Sequence, residues 1–379
     1  KQITVSISDS EKKAFKKVKF LNLACSGIEK NGLLKTISKV LEHGRLVMGP
    51  EIISFEKKIA SLCKRKYVIS VGSGTDALFL AIKALNYKRG DEIITTPLSW
   101  IATANAISMN GLVPVFADIN YDLNINYRSI EPLITKKTKA VVVVNFTGKI
   151  ADMDNINKVC KQNKLLLIED GSQSFGATYK NKPSASFGII STISHNPMKI
   201  FGAIGEAGSV LTNNINLKEK IEAFRYNGTV NKETCIEPSL NGRMDTIQAA
   251  VLMERLKNFK SSIKKRRKNA QFYINRLKNI VDLPEEKNYE HDIYYTFTIK
   301  AEKRDDLQHF LINKGIETKI HHPLLMPEQP AYNFNARGSF PNAKKLIKKV
   351  LCIPINEKLT EDDLEYVSNS INKFYGKKN

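Results

Sequence analysis

Short apolar runs alternate with segments of helical apolar spacing between residues 30 and 170 of this chain. The apolar runs predict strands over residues 67–71, 92–96, 113–117, 140–144 and 165–169. The segments around them predict helices over residues 30–43, 50–64, 76–85, 101–109 and 153–162. Continuously apolar strands separated by amphipathic helices are typical of a mostly parallel sheet covered by helices on both faces. The pattern therefore predicts an α/β protein.

The pattern changes after about residue 250. A long basic helix, whole or broken, is predicted over residues 251–276, and strands are predicted over 294–299 and 318–321. Further helices are predicted over residues 305–314, 342–350 and 361–374. We therefore expect a large domain over residues 21–250, a smaller C-terminal α+β domain over residues 251–379, and an N-terminal extension over residues 1–20.

The formal net charge of +21 raises the question of a polyanionic partner, since 59 basic residues face only 38 acidic ones. A basic surface attracts nucleic acid, but it also results from a lysine-rich composition spread over the whole chain. The lysines are dispersed apart from residues 264–268, and no nucleic-acid-binding motif accompanies them. We therefore expect no nucleic-acid partner, and at most a benefit for phosphate-bearing small substrates.

Other bulk features narrow the class of protein. No run of about 18 apolar residues occurs, so we expect no membrane span, and the N-terminus lacks the pattern of a secretory signal. The five cysteines are scattered and odd in number, which favours a reducing cytoplasm over a disulfide framework. Only one adjacent histidine pair, His321-His322, occurs, so we expect no metal site.

Candidate chemistry centres on Lys199 and on Asp170, which closes a predicted strand 29 positions earlier. A buried lysine amine forms a Schiff base with an aldehyde, and a carboxylate holds a pyridinium nitrogen in its protonated form. These two groups are what pyridoxal phosphate (PLP) needs from a protein. Most lysines are solvated surface charges, and a strand-end aspartate also caps helices, so the pair needs further support.

That support comes from other polar groups at predicted strand ends. Gly72-Ser73-Gly74-Thr75 joins a strand to a helix, a geometry that binds phosphate through helix N-terminal amides, although such turns are also common in purely structural roles. Ser194 could add a phosphate contact, and Gln173 could reach the hydroxyl oxygen of a cofactor ring. Trp100, the only tryptophan, could stack on that ring, although a lone tryptophan is more often a core residue.

Taken in order along the chain, these motifs resemble the PLP-dependent sugar aminotransferases of the DegT/DnrJ/EryC1/StrS family. The resemblance extends from about Leu21 to Phe374. The motifs that carry it are Gly49-Pro50-Glu51, Gly72-Ser73-Gly74-Thr75-Asp76-Ala77-Leu78, Val113-Pro114-Val115-Phe116-Ala117-Asp118, Ile168-Glu169-Asp170 with Gln173, Pro197-Met198-Lys199 with Gly202-Ala203, Arg243-Met244-Asp245 with Gln248-Ala249-Ala250, and Gly315-Ile316-Glu317-Thr318 with His322-Pro323.

The resemblance implies a fold type I enzyme with a composite active site in a homodimer. Lys199 would carry PLP, Asp170 would hold the ring nitrogen, and the amino group would pass from an amino acid, glutamate by resemblance, to a nucleotide-linked keto-sugar for surface-glycan synthesis. The resemblance also assigns the cofactor-binding and substrate-binding residues. Cofactor binding would fall to Ser73, Gly74, Thr75, Trp100, Asp170, Gln173, Ser194 and Lys199, with Asn227 from the partner subunit, and substrate binding to Arg243, His321 and His322.

Departures from the family pattern leave alternatives open. His195 stands where an aromatic residue is common, residues 145–148 replace a histidine- and aromatic-rich strand end, and residues 204–208 lack consecutive glycines. A subset of the family replaces the lysine by histidine and catalyses dehydration, so a PLP-dependent nucleotide-sugar dehydratase is the alternative within enzymes. From another class, a non-catalytic polyanion-binding protein on a relic of the fold would explain the charge.

Overall fold

A computed structural model describes residues 16–231, 233–333 and 336–376; residues 1–15 of the predicted N-terminal extension lie outside the described residues. Up to residue 170 the helices and strands fall within a few residues of the predicted bounds. The helices are α1 (Gly27–His43), α2 (Pro50–Cys63), α3 (Gly74–Ala84), α4 (Ala102–Met109), α5 (Met153–Gln162), α6 (Ile215–Phe224), α7 (Thr246–Leu277), α8 (Arg304–Asn313), α9 (Pro341–Leu346) and α10 (Glu361–Phe374). The strands are β1 (Tyr67–Val71), β2 (Glu92–Thr95), β3 (Val113–Ala117), β4 (Thr138–Val144), β5 (Leu166–Asp170), β6 (Thr178–Tyr179), β7 (Lys182–Pro183), β8 (Ile190–Ser194), β9 (Gly208–Thr212), β10 (Thr229–Val230), β11 (Thr234–Cys235), β12 (Glu290–His291), β13 (Phe297–Lys300), β14 (Arg337–Ser339) and β15 (Val350–Ile353).

An eight-stranded sheet, in the order β1-β9-β8-β5-β4-β2-β3-β14, forms the centre of the fold. Only β9 runs against its neighbours, pairing antiparallel with both β1 and β8. Because β9 is antiparallel to both β1 and β8, these two strands run in the same direction, which is also that of the remaining strands. The carboxyl ends of β1, β5 and β8 therefore meet at one edge of the sheet, where ligands of such sheets gather. The predicted mostly parallel α/β sheet is confirmed.

The alternation of side chains along the strands gives this sheet two buried faces. In β4, Val141 and Val143 pack into one apolar cluster, whereas Ala140 and Val142 pack into another. Helices α2, α5 and α7 cover the first face, and α3, α4 and α6 cover the second. Two layers of helices around a sheet explain why the central strands are apolar throughout instead of alternating with polar residues.

The C-terminal part of the chain builds a separate apolar core on the antiparallel pair of β13 and β15. Side chains of α7, α8 and α10 pack on this pair, and Val18 joins them because its backbone bonds Gly315 and Glu317. Helix α7 passes through position 250, and β14 adds a C-terminal strand to the edge of the large sheet. The division at residues 250 and 251 stays a prediction.

Several local predictions were wrong or incomplete. Residues 318–321 form no strand, because Lys319 makes one isolated bridge to Cys352 before the backbone turns at His322 with φ +58°. The helix predicted over residues 342–350 ends at Leu346, and Val350 begins strand β15. Helix α7 is unbroken over 32 residues, which fits the absence of glycine and proline from it. The sequence analysis also missed β8, β9 and α6.

Candidate active site

A cavity of about 850 Å³ opens at the carboxyl edge of the sheet. One wall consists of the end of β5, the end of β8 and the start of α3. The opposite wall comes from the C-terminal part of the chain, through residues 295–296 and 319–323. Ten of the predicted site residues line this one cavity: Ser73, Gly74, Thr75, Trp100, Asp170, Gln173, Ser194, Lys199, His321 and His322.

The start of α3 forms an anion-binding end of the cavity. Ser73 caps the helix, its hydroxyl accepting from the Asp76 N–H at 3.0 Å. The N–H groups of Gly74 and Thr75 lie in the first turn, have no acceptor within the helix, and so remain as donors for a ligand, as at any helix start. A Cβ on Gly74 would lie 2.4 Å from Ser194 Cβ, so only glycine lets the helix start approach β8 this closely. The backbone here suits a phosphate group.

Asp170 places a carboxylate beneath this end, and the residue is only 5% exposed. One of its oxygens accepts from the Ser172 N–H at 3.0 Å, while the Ser172 hydroxyl accepts from the Ser194 N–H at 2.9 Å. Burial raises the pKa of Asp170, opposed by the Ser172 hydrogen bonds and the charge of Lys199. A buried carboxylate that lines a cavity favours a cationic N–H partner there, because that partner restores its ionised form. Ser172 was not predicted as a site residue.

Gln173 is oriented by a strained backbone segment. Its side-chain oxygen accepts from the Thr147 N–H at 3.0 Å, and Thr147 has a left-handed backbone with φ +62°. Because the N–H must face the amide oxygen, the amide NH₂ of Gln173 is the end that remains as a donor. Gln173 therefore offers a donor to the cavity, as its predicted contact with a ring oxygen requires. The Thr147 contact was not predicted.

Lys199 is half-buried and lines the cavity, with its Nζ 4.8 Å from the centre of the Tyr295 ring. An ammonium over an aromatic face is held by the ring quadrupole. Arg266 fixes the backbone beneath that ring, donating to the carbonyls of Tyr294 at 3.1 Å and Tyr295 at 3.4 Å. Tyr295 and Arg266 were not predicted as site residues, although the Tyr294-Tyr295 pair at the start of the strand predicted over 294–299 was a usable signal.

His321 and His322 present two neutral imidazoles to the cavity. Burial, followed by neighbouring positive charges, lowers the pKa of His321 to about 2 and that of His322 to about 4. Nδ1 of His321 and Nε2 of His322 are buried, and neither has a hydrogen-bond partner among the described residues. Trp100, which is 63% exposed, lies 5.9 Å from the His322 ring. Unpartnered ring nitrogens beside an exposed indole mark the surface where a ligand would bind.

Two predicted residues lie outside the cavity. Asn227 is exposed in a left-handed turn with φ +57°. The guanidinium of Arg243 stacks on the Tyr226 ring at 4.4 Å, and its Nε donates to Asn241 at 2.9 Å. Neither side chain lines the cavity of its own chain, although the backbone of Arg243 bridges Val71 beside the Gly74 turn.

His195, which kept the dehydratase alternative open, is a core residue. It is completely buried, its Nε2 lies 2.9 Å from the Ser209 hydroxyl, and its ring packs edge-on against Phe55 and Phe201. Burial lowers its pKa to about 4. A neutral imidazole held between these partners does not reach the cavity, so it cannot take the place of Lys199.

No group of three or more histidine, cysteine, aspartate or glutamate side chains in residues 16–231, 233–333 and 336–376 is placed to hold a metal ion. None of the helices in these ranges is long and apolar enough to cross a membrane.

The residues that line the cavity fit pyridoxal phosphate. Helix N-terminal amides suit its phosphate, a buried carboxylate suits its ring nitrogen, and a lysine amine lies in the same space. This set, at the carboxyl edge of a mostly parallel sheet, defines the class of PLP-dependent enzymes of fold type I.

The profile of the DegT/DnrJ/EryC1/StrS aminotransferase family matches residues 28–372, and the chain belongs to this family. It is 34% identical over 343 residues to dTDP-3-amino-3,6-dideoxy-alpha-D-galactopyranose transaminase of Aneurinibacillus thermoaerophilus, which covers 90% of this chain and 94% of that protein. It is also 34% identical over 350 residues to the "pleiotropic regulatory protein" of Geobacillus stearothermophilus, again with 90% and 94% covered.

Solved structures agree with this assignment. DesV of S. venezuelae, in complex with a ketimine intermediate, superposes with a TM-score of 0.92 at 30% identity and covers 96% of this chain and 100% of that one. NtdA of Bacillus subtilis, with bound cofactor PMP, has a TM-score of 0.89 at 31% identity and covers 95% and 86%. The predicted family, fold type and PLP cofactor are confirmed.

Proposed function

We propose that the protein transfers an amino group from an amino acid, glutamate, to the keto group of a nucleotide-linked sugar and so supplies amino sugars for surface glycans. The observation that carries this is the meeting of Lys199, Asp170 and the start of α3 in one cavity. The relative from Aneurinibacillus, a transaminase of a dTDP-linked sugar, supports the substrate class.

Each side chain has a part in this reaction that follows from its position. When bound, PLP supplies an aldehyde that carries the amino group and a ring that accepts electrons. The amide N–H groups of Gly74 and Thr75 hold the phosphate, Asp170 keeps a proton on the ring nitrogen, and Gln173 donates to the ring oxygen. Lys199 moves a proton at the α-carbon of the amino donor, and Tyr295 keeps its amine within reach.

The histidine pair supports a sugar as the amino acceptor. Neutral imidazoles each have one donor and one acceptor nitrogen, as sugar hydroxyl groups require. His321 and His322 stay neutral at pH 7 because their pKa values are lowered to about 2 and about 4. Trp100 offers an apolar face on the same side of the cavity. These residues would bind and orient the keto-sugar.

The function would need a homodimer, because Asn227 and Arg243 lie outside the cavity of their own chain. In a dimer, this exposed region would reach the cofactor phosphate of the partner. Exposed apolar side chains between residues 28 and 53 support an interface there, since such a group is uncommon on a monomer. They are Ile28, Leu34, Leu41, Leu46, Val47, Met48 and Ile53.

Subunit mixing tests the composite site. Lys199→Ala and Asn227→Ala homodimers should each have little activity, whereas unfolding and refolding them together should restore part of it. In a mixed dimer one cavity has an intact Lys199 from one chain and an intact Asn227 from the other. Recovery to about a quarter of the wild-type rate is expected if chains pair at random. If mixing restores nothing although native mass spectrometry shows mixed dimers, the composite site is wrong.

A substrate screen tests the reaction itself. The purified enzyme is incubated with glutamate and a panel of nucleotide-linked keto-sugars, and release of 2-oxoglutarate is followed. Lys199→Ala should abolish release, while Lys161→Ala, which changes an exposed lysine on α5, should not. Glutamate-independent loss of a hydroxyl group from the sugar would instead support the dehydratase.

Two further points complete the proposal. We infer a cytoplasmic location, which the exposed free thiols of Cys25 and Cys235 support. The relative named as a regulatory protein suggests testing polyanion binding directly, by gel retardation of DNA at several salt concentrations. A non-catalytic relic would bind DNA tightly and show no glutamate-dependent reaction with any keto-sugar.

A further inference from the structure

A second cavity, of about 450 Å³, lies beside the candidate active site. Its walls come from residues 120–128 after β3, from residues 147–152, and from residues 283–300 of the C-terminal part. Thr296 lines both cavities, and none of the predicted site residues lines the second one. Cavities that bind small molecules have volumes of about 300–1,000 Å³, so this one is large enough for a small ligand.

Lys300 brings an unpaired positive charge to this second cavity. The residue lies at the end of β13 and is only 7% exposed. Its Nζ lies 4.0 Å from the centre of the Tyr121 ring, and no carboxylate of the described residues comes close enough for a direct ion pair. Burial lowers the pKa of Lys300, and the more distant charges of Asp282, Asp122 and Glu285 oppose that shift only in part. A buried ammonium without a direct ion pair is costly, so an anionic group of a ligand in contact with it would stabilise it.

Asp122 brings an unpaired negative charge to the same cavity. One of its oxygens accepts from the Asn124 N–H at 3.0 Å, and no cation of the described chain forms an ion pair with it. Burial raises the pKa of Asp122. Lys149, by contrast, is already paired with Glu290 and with Asp292. The cavity therefore holds one charge of each sign that makes no direct ion pair, and a ligand with both charges could contact the two.

The remaining charges of the walls argue against a strongly charged ligand. Four basic and four acidic side chains line the cavity, so their formal charges cancel. A nucleotide or a free phosphate would meet as many carboxylates as ammonium groups. A molecule with one charge of each sign could pair each of its charged groups with a wall residue of the opposite sign. The basic residues are Arg128, Lys149, Lys287 and Lys300, and the acidic ones are Asp122, Asp152, Glu285 and Asp292.

We propose that the second cavity binds a zwitterionic molecule of the α-amino-acid type, with its carboxylate on Lys300 and its ammonium on Asp122. The site does not take part in amino transfer, because it contains neither Lys199 nor Asp170. It is a second binding site whose occupant is separated from the reacting groups by the side chains of Thr147 and Thr296.

The position of Thr147 couples this site to the cofactor. Thr147 lines the second cavity, its N–H holds the side chain of Gln173 at 3.0 Å, and its carbonyl accepts from the Thr296 N–H at 3.3 Å. A ligand that displaces Thr147 would therefore move the amide that faces the cofactor ring. Occupancy is expected to change the cofactor absorbance as well as the rate, as a regulatory ligand would.

Calorimetric titration of the holoenzyme tests the proposal. The probes are a panel of α-methyl amino acids, which lack the α-hydrogen that transamination removes, together with acetate and methylammonium as probes of a single charge. At least one amino acid should bind, and acetate and methylammonium should bind far more weakly. No heat with any of the amino acids, or acetate binding as tightly as the best of them, would overturn the proposal.

Variants then locate the binding. Lys300→Met and Asp122→Asn should each weaken it by roughly tenfold to hundredfold, the effect of losing one charged hydrogen bond. Lys287→Met is the matched control, because Lys287 is an exposed lysine on the same cavity and should bind as the wild type does. Circular dichroism shows whether each variant is folded, and if one variant misfolds the other still tests the assignment. Binding that persists in both folded variants belongs to another site and refutes the assignment.

Discussion

The close approach of α3 to β8 makes Gly74→Ala the most informative single substitution. The added Cβ would lie 2.4 Å from Ser194 Cβ, 2.8 Å from its Oγ and 3.1 Å from its Cα. Carbon atoms in contact prefer about 3.5–4.0 Å, so the shortfall at Cβ is roughly 1 Å. Ser194 cannot yield easily, because it is paired in register with Gly208 in β9. The start of α3 must therefore move.

That movement should affect both stability and cofactor binding. Overpacking of this kind costs about 1–3 kcal/mol of folding free energy. Displaced N–H groups would also lose hydrogen bonds to the phosphate, and each bond to a charged group contributes about 1.5–3 kcal/mol. Loss of one such bond corresponds to cofactor binding that is roughly tenfold to hundredfold weaker.

The assay measures the melting temperature of the apoenzyme and the Kd for PLP by absorbance titration. The matched control is Gly27→Ala, where an added Cβ meets nothing within 4 Å. Gly27→Ala should leave the Kd unchanged. If Gly74→Ala binds PLP as tightly as the wild type and melts at the same temperature, the assignment of this helix start to the phosphate is refuted.

Three further predictions concern single residues. Asp170→Asn should still bind PLP but react about 10²–10⁴-fold more slowly, because the ring nitrogen loses its counter-charge; a wild-type rate contradicts that role. Gln173→Leu leaves the Thr147 N–H without its acceptor and should lower the free energy of unfolding in urea by about 1–3 kcal/mol. Gln162→Leu changes an exposed glutamine and is the control; an equal loss of stability in both variants contradicts this role of Gln173. His195 has its folded pKa lowered from 6.5 to about 4, so wild-type stability should fall by about 3 kcal/mol as pH drops from 6.5 to 4. In His195→Gln, the free energy of unfolding measured against pH should lack this fall. If it falls as steeply as in the wild type, His195 is not the group responsible.

Much of the large sheet could be predicted from local pattern, since each strand up to residue 170 is largely an apolar run and helices follow β1, β2 and β4. Strands β8 (Ile190–Ser194) and β9 (Gly208–Thr212) were not predicted, because serine and threonine interrupt their apolar runs. These hydroxyl-bearing residues are buried by neighbouring strands, which no local pattern reveals. Strand β14 is only three residues long, and its position depends on β3 more than 200 residues earlier.

The candidate site divides in the same way. Asp170 and the Gly74 turn could be found because polar residues at the ends of apolar strands must meet at one edge of a parallel sheet. Lys199 follows β8, which was not predicted, and was found from its Pro197-Met198-Lys199 motif instead. The Tyr294-Tyr295 pair was visible in the sequence, but only the folding of the C-terminal part over the sheet brings Tyr295 to the cavity. Thr147 could not be found, because it acts through a backbone N–H. The assignment of Asn227 and Arg243 to a partner subunit came from family resemblance alone and stays a prediction.

The amino-acid sequence alone determined the order of helices and strands up to residue 170, the fold class and the residue types that carry the chemistry, because spacing and strand ends are local properties of a chain. Only the tertiary structure decided which of those groups carry charge and what they face. His195 is neutral because the core surrounds it, and His321 and His322 are neutral because two distant segments bury them. The pKa of Lys300 is lowered because its position on β13 buries it. Burial and electrostatics depend on every neighbour in space, and most of those neighbours are far apart in the chain.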